Sequence, residues 1–193
     1  MEIHRFEKVW LAAAILLIVG FIATITYGAV GAGVAMVSDS GGTVDSAALN
    51  EHPEFSDPGV RQVGENRYEV YVVAQQFVFE PGTGTPIELP AGSTVTFYVT
   101  SADVVHGFNL AGTNLNTMAI PGQVAEVTVE FPEEPKNYAI ICHEYCGSGH
   151  HEMAGNLRTV PPSEFNLDGS SSADVDADAD AADGSTDVEG GEH

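Results

Sequence analysis

Basic residues are scarce in this chain: six Lys and Arg stand against 28 Asp and Glu, for a formal charge of -22 over 193 residues. Binding to nucleic acid is excluded on that ground, because a phosphate backbone is held by basic contacts. Lysine occurs only at Lys8 and Lys136. So large an acidic excess has two readings, a docking face for a basic partner or adaptation to very high salt, where self-repulsion is screened. The acids run through the globular segment as well as the tail, which favours the salt reading. Cysteine is equally sparse. The two that exist lie within one five-residue stretch, so no disulfide framework is available, and a bridge closing so short a loop would remove little unfolded-state entropy. Tryptophan occurs once, at Trp10, and no amphipathic helix is evident between residues 60 and 162.

Charge is absent altogether from residues 9 to 37. As a helix this stretch would run about 44 Å at 1.5 Å per residue, more than the roughly 30 Å hydrocarbon core of a bilayer and too long for a secretory signal. Arg5 and Lys8 precede it and no basic residue follows until Arg61, which places the amino terminus in the cytoplasm and the remainder outside the cell membrane. The expected layout is a cytoplasmic amino terminus (1–8), a single-pass anchor (9–37), a linker rich in Ser, Gly, Asp and Pro (38–59), a folded domain (60–162) and an acidic tail (163–193). The tail is too poor in apolar residues to order itself, and is expected to be disordered.

Within the domain, Arg67 to Ala74 alternates polar and apolar residues with β-branched and aromatic side chains, as a half-buried strand should. Further strands are expected at Phe77 to Glu80, Ser93 to Thr100, Val124 to Phe131, Tyr138 to Ile141 (as an edge strand) and Gly155 to Val160. Pro81-Gly82-Thr83-Gly84, Pro90-Ala91-Gly92 and Pro121-Gly122 supply turns between them. This spacing indicates an all-β sandwich or barrel.

The chemistry concentrates in Cys142-x3-Cys146-x3-His150-x2-Met153, with His106 upstream on a second loop after Ser101–Val105. Two thiolates on one tight loop can bridge two copper ions, each then needing one imidazole and one weak ligand. Cys142 and Cys146 serve as bridges, His106 and His150 as nitrogen ligands, Met153 as a thioether and the Glu144 main-chain carbonyl as the remaining weak ligand. Asp103 could orient His106 from outside the ligand set, or could be a plain turn residue. Two other readings stay open: a Cys2His2 zinc site, which leaves Met153 without a role, and a disulfide with incidental histidines.

The loop wording Cys-x-Glu-x-Cys-Gly-x-Gly-His-x-x-Met, with Asp103-Val-Val-His-Gly-Phe108 upstream, resembles the CuA domain of cytochrome c oxidase subunit II. Residues 71–77, 86–92, 112–116 and 120–122 extend the resemblance across most of the domain. It implies a cupredoxin-like Greek-key fold, a binuclear copper (CuA) centre, and a partnership with subunit I of a haem–copper oxidase. Electrons would arrive from cytochrome c or a small blue-copper protein. His106, Cys142, Glu144 through its carbonyl, Cys146, His150 and Met153 match the family's ligands. The Glu144 carboxylate corresponds to a magnesium ligand in the mitochondrial-type branch. A single span and the Asp-Val-Val-His-Gly-Phe wording look more like the B-type oxidases. The mitochondrial-type tryptophan at the donor-facing edge is missing, so Phe77, Phe79 or Phe108 are candidates to line that edge. His143 and His151 fall at positions the motif does not use as ligands. The same centre could also serve a copper-containing nitric oxide reductase, or a membrane-tethered electron shuttle or copper-delivery protein.

Overall fold

The computed structural model describes residues 4–31 and 40–167. The expected disordered tail lies outside the described residues from 168 onward, as do residues 32–37 of the expected span. The apolar segment forms helix α1 (Arg5–Thr26), continued by a π turn over Tyr27–Gly31. Its start is a capping box: the His4 ring accepts from the Phe6 N–H, and Glu7 accepts from the His4 N–H at 3.0 Å. Thr24 and Thr26 return their hydroxyls to the carbonyls of Gly20 and Ile22, so these two hydroxyls are satisfied within the helix. With mean hydropathy 2.5 and no buried residue in its most apolar stretch, Arg5–Gly31 is long and apolar enough to cross a membrane.

The domain is a sandwich of two five-stranded sheets. One contains β1 (Gly59–Gly64), β2 (Arg67–Gln75), β5 (Thr94–Ser101) and β8 (Ala125–Glu130) in that order, with β3 (Val78–Glu80) added to β2. The other runs β4 (Ile87–Pro90), β10 (Ala154–Val160), β9 (Asn137–Ile141), β6 (His106–Leu110), β7 (Asn116–Ala119). Each sheet holds one parallel pair, β2 with β5 and β4 with β10. Alternate residues of both sheets meet between them: Val70, Val72, Phe79, Phe97, Phe108, Leu110, Ile140 and Leu157 are all fully buried. The all-β sandwich expected of the sequence, with one apolar amino-terminal helix, is the fold observed.

Three expectations need correction. β9 is an interior strand, hydrogen-bonded to β10 on one side and β6 on the other. His106 opens strand β6 and does not sit in a loop, since its backbone pairs with Ala119 of β7. Residues 40–58 are no free linker. Thr43 bridges to Gln123, the Gly41 N–H donates to the Val124 carbonyl at 3.1 Å, and Leu49 and Phe55 are buried against Val73 and Val124. This strap covers the outer face of the first sheet, where Tyr71 and Tyr98 stack side by side at 4.9 Å. Arg61 fixes its end by donating to the carbonyls of Glu54 and Asp57 while its guanidinium lies over the Tyr71 ring. The carboxyl side extends too, because Phe165 packs edge-on against Tyr68.

Candidate metal centre

The second sheet supplies the candidate ligands at one end of the sandwich. His106 begins β6, and the loop from β9 to β10 carries Cys142, Cys146, His150 and Met153, with a single 3-10 turn over His150–Glu152. Cys142, Cys146 and Met153 are buried and continuous with the apolar core, and His106 is 0% exposed. Water is thereby excluded from three sulfurs and an imidazole, which strengthens every polar interaction among them.

The thiols are free, with their sulfurs 3.9 Å apart, far beyond the about 2.05 Å of a disulfide bond. Cys146 Sγ stands 3.5 Å from His150 Nδ1 and 3.6 Å from Met153 Sδ. Cys142 Sγ lies 3.2 Å from the Glu144 carbonyl oxygen. One ligand atom from each of His106, Cys142 and Cys146 falls within 4.8 Å of the others, a grouping able to hold a metal ion.

The orientation of His106 is the most telling contact. Its Nε2 faces Asp103 Oδ1 at 2.8 Å and its Nδ1 faces Met153 Sδ at 3.2 Å. A carboxylate can only accept, so a ring proton belongs on Nε2, which leaves Nδ1 free to turn a lone pair toward a metal beside the Met153 thioether. A ring nitrogen and a thioether sulfur so placed can share one cation. The thioether in this cluster also separates the set from an ordinary zinc site and suits a soft metal such as copper.

Asp103 is itself held firmly. Oδ1 also accepts from the Val104 N–H at 2.6 Å, and Oδ2 accepts from the Gln76 N–H at 2.8 Å. Burial alone would raise its pKa, but the hydrogen bonds from His106, Val104 and Gln76 outweigh it and hold the carboxyl below its usual range. Cys146 moves the other way: burial first, then the neighbouring Cys142, push its thiol up to about 11. A metal arriving at neutral pH must therefore displace the Cys146 proton.

The loop keeps its shape by close packing. A side chain at Gly149 would place its Cβ 2.5 Å from a ring carbon of Phe77, so the half-buried Phe77 lies flat against the loop. The structure brings together all six expected ligand groups and Asp103. It does not bring Phe79 and Phe108 to any surface: both are fully buried and meet edge-on at 5.2 Å in the core. Of the three edge aromatics expected, Phe77 is the one that is partly exposed and packed against the loop glycines. His151 and the Glu144 carboxylate are exposed. Gln76 was not singled out by sequence. It donates through its side chain to the Cys146 carbonyl, and nothing in the local pattern marks it, because its place depends on how the first sheet packs against the β9–β10 loop of the second.

A β-sandwich that gathers two buried thiols, two imidazoles and a thioether at one end, behind an apolar helix, defines a membrane-associated class of thiolate–imidazole metal proteins. The profile of the cytochrome C oxidase subunit II periplasmic domain matches residues 65–160. Cytochrome c oxidase subunit 2 of Thermus thermophilus is 40% identical over 159 residues, covering 80% of this chain and 92% of that protein. Heme-copper oxidase subunit 2 of Aeropyrum pernix is 35% identical over 96 residues, 47% of this chain and 41% of its own length. Among solved structures, a chain of a heme-copper terminal oxidase dimer superposes with TM-score 0.64 at 36% identity, covering 81% of this chain and all of that one. The chain belongs to the cytochrome c oxidase subunit II family, and so to the subunits of an oxidoreductase complex.

Proposed function

We propose that this chain is the subunit through which electrons enter a haem–copper oxidase, taking them from an external donor and passing them to haem in subunit I. The observation that carries the reading is the buried convergence of His106 Nδ1 on Met153 Sδ beside two free thiols 3.9 Å apart. Cys142 and Cys146 would bridge two copper ions. His106 and Met153, 3.2 Å apart, would serve one ion, and His150 with the Glu144 carbonyl would serve the other. When bound, the copper pair supplies a one-electron relay. The chain's own part is to hold the donors on rigid strands, exclude water, and fix the His106 tautomer through Asp103, so that little ligand movement accompanies a change of charge. Phe77, against the loop and partly exposed, is the aromatic placed to line the donor-facing edge. A magnesium ion at the Glu144 carboxylate would need ligands from another chain, since that carboxylate joins no metal-binding group among the described residues.

Arg5 and Lys8 before the apolar helix support a cytoplasmic amino terminus, with the copper domain outside the cell membrane. One membrane-length helix among the described residues supports a B-type layout. The charge of -22 supports an origin in very high salt, where a Debye length of about 3 Å removes long-range steering and makes a blue-copper protein as suitable a donor as cytochrome c.

The test is the copper-loaded full chain in detergent, examined by metal analysis, electron paramagnetic resonance and visible absorption. Two coppers sharing one delocalised unpaired electron are expected. A mononuclear copper signal, or a site that takes zinc and not copper, would overturn the reading. Purification from the native membrane should bring subunit I with it, and the complex should reduce oxygen; reduction of nitric oxide alone would assign the chain to a nitric oxide reductase instead.

A further inference from the structure

Gln76 joins the two arms of the site. The parallel pairing of β2 with β5 aligns Ala74 with Ser101, so the residues just past each strand end, Gln76 and Asp103, run side by side. The Gln76 main-chain N–H donates to Asp103 Oδ2 at 2.8 Å, on the same carboxylate whose Oδ1 accepts from His106. Its side chain reaches the other way, across the thiolate loop, and its amide NH2 donates to the Cys146 main-chain carbonyl. That carbonyl oxygen can only accept, so the amide is fixed with its NH2 end toward the loop. The crossing is possible because position 147 is glycine. With φ +132°, and with a built Cβ only 2.8 Å from Gln76 Nε2, any other residue there would displace the amide.

One residue thus touches both the group that orients His106 and the peptide of a bridging thiolate. We propose that Gln76 is a positioning residue of the metal centre, which holds His106 and Cys146 in a single hydrogen-bonded frame and raises the reduction potential of the copper pair. The inference rests on the copper reading above. The physical basis for the second effect is the amide dipole, whose positive end faces the Cys146 peptide and disfavours the more positive, oxidised state. Gln76 is exposed, so its replacement leaves the core between the sheets untouched.

The experiment compares the copper-loaded full chain in detergent as wild type, Gln76→Leu and Gln76→Glu. Leucine removes the donor and retains bulk; glutamate at neutral pH retains the shape and turns an acceptor toward the carbonyl. Both variants are expected to bind two coppers and to show wild-type circular dichroism, yet to have a lowered midpoint potential and shifted visible bands, with glutamate the more affected. Gln76→Leu should lose copper to a chelator about fivefold faster, the equivalent of about 1 kcal/mol, the net worth of one neutral hydrogen bond. A glutamine serving only the surface would leave potential and spectrum unmoved. Wild-type values of potential, spectrum and copper loss in both variants would overturn the proposal. Should a variant fail to fold, the wild type decides: the Gln76 side-chain amide protons should exchange slowly in magnetic resonance spectra, and rapid exchange would refute the hydrogen bond. Absence of a copper pair in the wild type would instead remove the reading on which this inference stands.

Discussion

Replacing Asp103 by Asn isolates what one carboxylate does for the site. Asp103 accepts short hydrogen bonds from His106 Nε2, the Val104 N–H and the Gln76 N–H, and a longer one from Ser101 Oγ at 3.4 Å. Asparagine can keep its oxygen on the side of His106 and Val104, but must then turn its NH2 against the Gln76 N–H. One charge-assisted hydrogen bond is lost, ordinarily about 1.5–3 kcal/mol. The side chain is 32% exposed, so solvent screening reduces this to roughly 1 kcal/mol of stability in the metal-free protein. Loss of the charge behind His106 also weakens the imidazole as a donor, and about 10- to 100-fold lower copper affinity is expected, as is usual when the partner of a ligating histidine is removed. The pH dependence gives an internal control. The Asp103 pKa is depressed in the folded state, so its contribution is present above the unfolded value near 4 and fades as pH falls through the lower folded value. Urea unfolding of the metal-free full chain should therefore separate wild type from Asp103→Asn at pH 6, with the gap closing below pH 4. Copper affinity is read by chelator competition at pH 7. Equal affinity in the two proteins, or a stability gap that persists unchanged into acid, would refute the reasoning.

Other outcomes follow from the same contacts. Cys146 has the opposite sign: its folded pKa is raised to about 11, so the metal-free protein should hold its stability up to about pH 9 and lose it between 9 and 11. Cys146→Ser should abolish that alkaline step in unfolding curves, along with binuclear copper binding. Phe55→Ala removes a buried strap aromatic that meets Tyr71 edge-on at 5.5 Å, and should cost about 3 kcal/mol while exposing residues 40–58 to limited proteolysis. An unchanged melting temperature and digestion pattern would show that the strap is not docked. Raising salt from 0.1 to 1 M shortens the Debye length from about 10 to about 3 Å, so a chain of charge -22 should melt several degrees higher. A flat salt response would rule out the salt-adaptation reading.

Strands that are largely alternating and rich in β-branched and aromatic residues were legible in the sequence: β2, β5, β8, β9 and β10 lie within a residue or so of their expected places. Those missed are short, carry polar residues inward or, like β1, bury no residue fully. β7 buries Thr117, β6 opens on a buried histidine, and β4 has four residues ending in proline. The strap was hidden because Leu49 and Phe55 are isolated apolar residues in a stretch otherwise rich in Ser, Gly and Asp. Its one trace was in β2, where Val73 breaks the alternation because the strap covers the face that would otherwise meet solvent. At the site, the residues of one loop could be read from spacing alone, since seven or fewer positions separate most of them. Asp103 was within reach because it lies three residues from His106. Gln76 lies 70 residues from Cys146 and meets it only where the two sheets pack face to face.

The docked strap also sets how far the domain can stray. Were residues 40–58 free, the chain between Gly31 and Gly59 could extend to about 100 Å. With Gly41 bonded to Val124, ten residue steps from Gly31 remain, and no conformation of them can exceed about 36 Å. A helix held in a bilayer would then keep the sandwich on a short leash, close above the lipid surface. A partner in the same membrane would meet it at a high effective concentration, whereas a donor diffusing outside must come down to it.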